Sequence, residues 1–458
     1  MKQWRYPQSS PSSTRRVRPA VEELESRLVP YALTGNAWPH PELVTLSFVP
    51  DGTDLGGVSS NLISTFNARF GSAATWQNVI LKAAQQWAQQ TNINFALVSD
   101  SGVASGSGGY QQGDPGMGDI RIGGFVFADN SLALAFAPPP VNNYSAAGDM
   151  AFNTGQSFRI GSTYDLYTVA MHEVGHALGL GHSNYALAAM YPAYVGKKYG
   201  LHVDDVNGIR AIYGGARLPD AFDATAANNS FSTASNLNAT VDPSSLTSLV
   251  SGLDITSTTD ADFYRVTVPS GTSGTFQVTV QSQGLSLLAP VLYVYNANQV
   301  LIGSASGAGQ YGATLTVTLT NVTPGQQFFI RVGGAEASAQ GTGAYALVLN
   351  FGNNPMPTVP LPDTATPNGD PLSGGGGLAE QPGSVGRKHP NEVDERWDKF
   401  GPPGQRDSHS WAAMLSSLLR KAEQVSGSAE AADAAELAGT LDYDAITLGL
   451  FWANLDPN

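Results

Sequence analysis

LYTVAMHEVGHALGLGHSNYALAAMYPAY, residues Leu166 to Tyr194, decides how the rest of this chain is read. It holds three of the seven histidines. His172 and His176 are four apart, so on a helix they project from one face, a turn apart, where both imidazoles reach a single metal ion. Glu173 lies beside them without having to be a ligand, as a general base toward a water must. Gly179 can take the positive-φ conformation that ends a helix, and the chain can then turn back to bring His182 to a third position. Three neutral imidazoles leave one coordination position open, which is the arrangement of a catalytic zinc. The alternative is a helix with solvated histidines and an incidental glutamate. Against it stand five fixed positions, His172-Glu173-x-x-His176-x-x-Gly179-x-x-His182, in a chain where histidine is scarce.

The stretch resembles the zinc helix of the metzincin peptidases, and Met190 falls where that clan has its Met-turn. Ser183 and the run Ala189-Met190-Tyr191-Pro192-Ala193-Tyr194 resemble the matrixin (matrix-metalloproteinase) branch. The resemblance covers residues 38–214 and closes on Val203–Gly214, which is similar to the family's last helix. It implies an α+β domain, a twisted mixed sheet with long helices and a zinc cleft. It also implies His172, His176 and His182 as ligands of one catalytic Zn2+, Glu173 as base, and Gly179 and Met190 as structural residues at the site. Ala133, Leu134 and Ala135 would form the edge strand that pairs with an extended substrate, and Pro192 to Tyr194 one wall of the pocket after the cut. Thr168 stands where the family sets that pocket's depth, and its small side chain implies a roomy pocket for medium to large apolar residues. Leu134 and Ala151 stand where animal matrixins place histidines of a second, structural zinc, so no such ion is expected.

Composition agrees with a turn-rich protein. Gly (51) and Pro (28) are plentiful and charged residues make up only 13%. A net charge of −14 argues against a nucleic-acid partner, which calls for a basic face. With no cysteine there are no disulfides, no thiolate catalysis and no cysteine switch; Glu22, Glu23 or Glu25 is the acidic substitute that charge alone suggests for latency. No apolar run is long enough for a transmembrane anchor. The start, residues 1–37, is locally basic and lacks an ordinary signal peptide's apolar core. Val21 to Pro30 resembles a segment found on large exported or surface proteins of some bacteria, with a disordered pro-region as the alternative.

From Trp38 to Gly214, strands are expected at Leu43–Val49, Asn94–Val98, Asp119–Ile122, Leu132–Ala137 and Ala147–Phe152, with an amphipathic helix over Ser72–Gln90. Asp119, Asp129 and Asp149 leave calcium open, but lack the dense oxygen spacing of a calcium loop and read better as turn caps. In 215–352 six alternating runs (263–268, 275–280, 291–295, 313–319, 328–332, 345–349) predict an antiparallel β-sandwich. Asp220–Phe231, Asp260-x-Asp262-Phe-Tyr264 and Gly343-x-Tyr345 resemble the bacterial pre-peptidase C-terminal domain; Asp260 and Asp262 are read as turn residues, calcium being the alternative. Residues 353–458 read as a flexible linker through Gly374–Gly377 and a tail with apolar spacing from Trp411 to Val425. The resulting expectation is a monomeric, secreted or surface-bound bacterial zinc endopeptidase acting on protein or peptide substrates. Two rivals are an inert scaffold on a surface adhesin and a protease acting mainly on its own chain.

Overall fold

Eight of the sixteen residues of helix α2 (Ala73–Ala88) are buried, among them Trp76, Ile80, Ala83, Ala84 and Trp87 at three- and four-residue spacing. Ser72 caps it by accepting a hydrogen bond from the Thr75 amide. In the computed structural model, which describes residues 31–107, 110–352 and 354–367, α2 lies under a five-stranded sheet. The strands are β2 (Val44–Phe48), β3 (Phe95–Leu97), β5 (Ile120–Phe125), β6 (Ala133–Ala135) and β7 (Met150–Asn153), in the order β3-β2-β5-β7-β6. All pairs are parallel except β6 on β7. Each fully buried large apolar side chain here contributes about 1.5–3 kcal/mol; Trp76 meets Phe48 of β2 edge-on, and Trp87 donates its indole N–H to the Met171 carbonyl.

Helix α1 (Leu62–Phe70) was not expected. Its Leu62 and Phe66 are buried, and the Phe66 ring meets Phe70, Trp76, Phe152 and Phe158. The preceding Asn61 gives no side-chain cap; Asp51, on a turn twelve and thirteen residues upstream of them, accepts from the Ile63 and Ser64 amides instead. The remaining helices, α3 (Leu166–Ala177) and α4 (Val203–Tyr213), are 12 and 11 residues long. With α1 at 9 and α2 at 16, the expected long helices are of ordinary length, about two and a half to four and a half turns.

Two other segments differ from expectation. Tyr31–Leu33, assigned above to the leading segment, is strand β1 and pairs antiparallel with β8 (Leu180–Ser183). Residues 354–367, expected as free linker, pack back on the fold: Val359 is buried against Ala346 and Val348. The segment ends in β18 (Thr366–Pro367), paired with β4 (Tyr110–Gln112) in the Gly- and Ser-rich loop 100–118. Gly113 is glycine for a contact reason as well, since a Cβ there would lie 2.5 Å from the Ala365 nitrogen. Glu22, Glu23, Glu25, the Gly374 run and the Trp411–Val425 stripe lie outside the described residues.

In 215–352 two sheets bury one apolar cluster between them. One orders β10 (Thr247–Ile255), β17 (Gly343–Asn350), β12 (Thr275–Gln281) and β15 (Thr314–Thr320). The other orders β14 (Leu301–Ser306), β13 (Pro290–Asn296), β16 (Gln327–Gly334), β11 (Ala261–Thr267) and β9 (Ser235–Asn236). In β15 Leu315 and Val317 point inward while the threonines between them face solvent. The six expected runs fall on β11, β12, β13, β15, β16 and β17. β10 escaped because a bulge between Val250 and Leu253 breaks its alternation, and β14 because its Leu301-Ile302 start runs into Gly and Ser without alternation on an exposed edge.

The two units are bolted together at Arg217. Its guanidinium donates to the carbonyls of Ala88, Thr91 and Ile93, to Asn94 Oδ1 and to both oxygens of Asp254. Gln85 Nε2 on α2 adds a bond to the Thr342 carbonyl, 2.9 Å away.

Candidate active site

Helix α3 begins where Asp165 caps it, its Oδ2 accepting from the Thr168 amide and hydroxyl. It ends at Gly179, which sits at φ +97° and presses against the Asn36 carbonyl oxygen where any Cβ would fall. Past that glycine the chain runs into β8, whose pairing with β1 fixes His182 opposite the helix. The Nε2 atoms converge: 3.0 Å from His172 to His176 and 3.2 Å from His176 to His182.

The other ring nitrogens explain the orientation. His172 Nδ1 lies 2.7 Å from the Ala189 carbonyl and His176 Nδ1 lies 2.8 Å from the Leu180 carbonyl. A carbonyl only accepts, so Nδ1 carries the proton and each Nε2 presents a lone pair inward. Burial, with the neighbouring imidazoles adding to it, lowers the pKa of His176 to about 3 and holds that of His172 well below its ordinary value; burial lowers His182 to about 4. Lone pairs this close repel unless a cation lies among them. Zinc held at ~2.0–2.1 Å by tetrahedral nitrogens sets them ~3.3 Å apart, so the all-imidazole donor set and its spacing fit zinc. Glu173 is 1% exposed, and neither carboxylate oxygen has a hydrogen-bond partner among the described residues. Burial raises its pKa well above the ordinary carboxylate value.

Beneath the histidines the turn at Ala189–Met190 is held by a residue not singled out above. The Asp205 carboxylate accepts from the amides of Ala189, Met190 and His202. Ser183 ties the strand to the turn by donating its amide to the Met190 carbonyl, and its hydroxyl to Asp204. The signal for these acids was the Asp204-Asp205 pair in the first turn of α4, where carboxylates suit the helix dipole. The Met190 thioether lies against Gly175, in the space a side chain there would need.

The substrate-facing expectations fare unevenly. Ala133, Leu134 and Ala135 lie on β6, the last strand of its sheet, with α3 packed beside it. Pro192 and Tyr194 are half-buried; the Tyr194 hydroxyl accepts from the Asp165 amide and its ring meets Tyr164 edge-on. Thr168 is fully buried, its hydroxyl is engaged by Asp165, and the Lys198 amide donates to it at 2.9 Å. Leu134 and Ala151 are direct cross-strand partners inside an apolar cluster with Val49, Leu55 and Phe125. Asp119 accepts from the Thr45 and Gly113 amides, Asp149 from the Arg121 amide and the Ser105 hydroxyl, and Asp129 from the Ser131 amide. These three acids are spread over separate loops.

A helix carrying two histidines and a glutamate, a third histidine after a glycine turn, and a methionine turn below define a metzincin-like domain. Residues 62–214 match the matrixin family, and this part of the chain is a matrixin-like metzincin domain. Karilysin of Tannerella forsythia is 37% identical over 142 residues, which is 30% of this chain and 28% of that protein. Matrix metalloproteinase-20 of Homo sapiens is 38% identical over 136 residues (29% and 26%), and matrilysin of Rattus norvegicus 36% over 143 residues (30% and 49%). The chain thus spans between about a quarter and a half of the length of these relatives. Among the described residues no helix is long and apolar enough to cross a membrane.

Proposed function

We propose that the protein is a zinc-dependent endopeptidase that hydrolyses peptide bonds in extended polypeptides. The observation that carries this is the convergence of three Nε2 lone pairs beside the buried, unpartnered carboxylate of Glu173. His172, His176 and His182 hold the metal, with Ala189 and Leu180 fixing the two helix rings through Nδ1. Zinc, when bound, supplies a Lewis acid and lowers the pKa of a water toward neutrality. Glu173 takes a proton from the attacking water and passes it to the nitrogen of the departing amine. Its burial keeps bulk water from competing for that proton. Gly179 sets the turn that delivers His182, and Met190 supplies an apolar floor.

The substrate backbone adds to β6 along Ala133, Leu134 and Ala135, a strand-addition mode in which main-chain bonds give affinity. Pro192 and Tyr194 stand at the wall of the pocket for the residue after the cut, and Thr168 bears on that pocket only through the 198 backbone it holds. The protein acts outside the cell or at its surface as a monomer, and the unit 215–352 is a pre-peptidase C-terminal-like sandwich that retains it there.

Casein-type cleavage by the purified chain, wild type against Glu173→Ala, tests the proposal. Loss of cleavage with zinc content unchanged is expected. Wild-type cleavage by the variant would end the enzyme reading.

A further inference from the structure

The sheet β14-β13-β16-β11-β9 has two faces, and only one of them meets the core. Leu292 and Val294, Ile330 and Val332, Tyr264 and Val266 point into the apolar cluster between the sheets. The residues that alternate with them face the other way. These are Tyr293 and Tyr295 on β13, Phe329 and Arg331 on β16, and Phe263 and Arg265 on β11. Register places them side by side. Tyr293, Arg331 and Phe263 form one row across the three strands, and Tyr295, Phe329 and Arg265 form the next. The Phe231 ring packs edge-on against Phe263, Tyr295 and Phe329, so those rings largely cover one another. Tyr293 and Arg331 stay half-buried beside them, and Arg265 is exposed.

The two arginines are the decisive feature. The Arg331 guanidinium carbon lies 5.3 Å from the centroid of the Tyr293 ring and 5.9 Å from that of Phe263. Cation–π attraction to two rings accounts for its position but leaves its N–H donors unused. Neither Arg331 nor Arg265 has a carboxylate partner among the described residues. That is unexpected in a chain with 37 acidic residues against 23 basic ones. Arg265 and Arg331 are diagonal neighbours across the β11–β16 ladder, which sets their α-carbons about 7–8 Å apart. The face thus offers two planar, permanently charged forks and a tyrosine ring, and no negative charge to compete for them.

We propose that this face binds an acidic polysaccharide, a chain of uronic-acid sugars. Each guanidinium takes a carboxylate through paired N–H donors. The Tyr293 ring, negative on its face, takes the apolar C–H side of a sugar ring. A polypeptide is recognised by a sheet chiefly through strand addition at an edge. β13, β16 and β11 are interior strands whose backbone groups are already paired, so recognition here uses side chains alone. Single-stranded nucleic acid also stacks and pairs with arginine, but it calls for a basic groove along the backbone, and the net charge of −14 opposes it. The proposal rests on the surface retention given above and names its partner. Binding is read without cleavage, so the peptidase assignment and the glycan site fail separately.

The test uses the full chain carrying Glu173→Ala to prevent self-cleavage, titrated calorimetrically with oligomers of galacturonic acid. Salt-sensitive binding is expected, and none to the same oligomers with their carboxyl groups reduced to alcohols. R265Q and R331Q should each weaken binding about tenfold or more, and Y293L about two- to tenfold, with circular dichroism unchanged. No binding by the parent overturns the proposal, as does equal binding of the reduced oligomers. Equal affinity for poly-glutamate or for oligothymidylate would assign the face to acidic peptides or nucleic acid and overturn it as well. Parental affinity in both R265Q and R331Q does the same. If R331Q does not fold, R265Q decides, because that side chain is exposed and lies outside the core: weakened binding sustains the site and unchanged binding removes it.

Discussion

Arg217→Met isolates what joins the two units. The arginine side chain is 2% exposed and that of Asp254 17%, so the pair is largely out of water. Removing one member of a buried, hydrogen-bonded pair costs about 3–5 kcal/mol, since the other charge stays behind uncompensated. The carbonyls of Ala88, Thr91 and Ile93 lose their donor in the same step. Set against a total stability of about 5–15 kcal/mol, the loss is large. The double variant R217M/D254L removes the stranded carboxylate. It should recover most of the loss and leave about 1–2 kcal/mol for the unpaired carbonyls. Urea unfolding of the full chain measures both, and hydrogen exchange at 88–94 locates the effect. If R217M stays within about 1 kcal/mol of its parent, or if exchange rises elsewhere and not at 88–94, the reasoning about this contact is wrong.

Gly175→Ala gains about 1 kcal/mol of helix propensity but drives a methyl into Met190 and Trp87, an overpacking of about 1–3 kcal/mol; weaker zinc retention in chelator competition is expected, and unchanged retention would refute the packing argument. Chelation should abolish cleavage, and added zinc should restore it, as read by peptide hydrolysis. The pH dependence of stability should carry a signature of Asp149, whose pKa burial pushes up to about 7. Its folded value lies above the unfolded 3.8, so its contribution is complete below pH 3.8 and is lost as pH rises through 7. Asp149→Asn should flatten that slope in urea titrations between pH 4 and 7, and an identical slope in the variant would exclude it.

The site was legible because its chemistry is local. His172, Glu173, His176, Gly179 and His182 sit within one helix and one turn, where spacing translates directly into direction. What escaped was set by partners distant in sequence. Helix α1 takes its cap from Asp51, and the turn at Met190 is held by Asp205. Thr168 is engaged by backbone thirty residues on. Side-chain size at 168 gave no sign of that. β14 is an exposed edge without alternation and β1 is three residues long, so pairing, not composition, makes them strands.

The doubling back of 354–367 has a practical consequence. A fragment trimmed at Gly214 would be severed from Arg217 on one side and from the Thr366–Pro367 pairing on the other. Physical seams and sequence seams do not coincide here. Anyone dissecting the protein should hinge the cut on which strands share a ladder, and a tag fused directly after Pro367 would emerge beside the loop that carries Tyr110–Gln112.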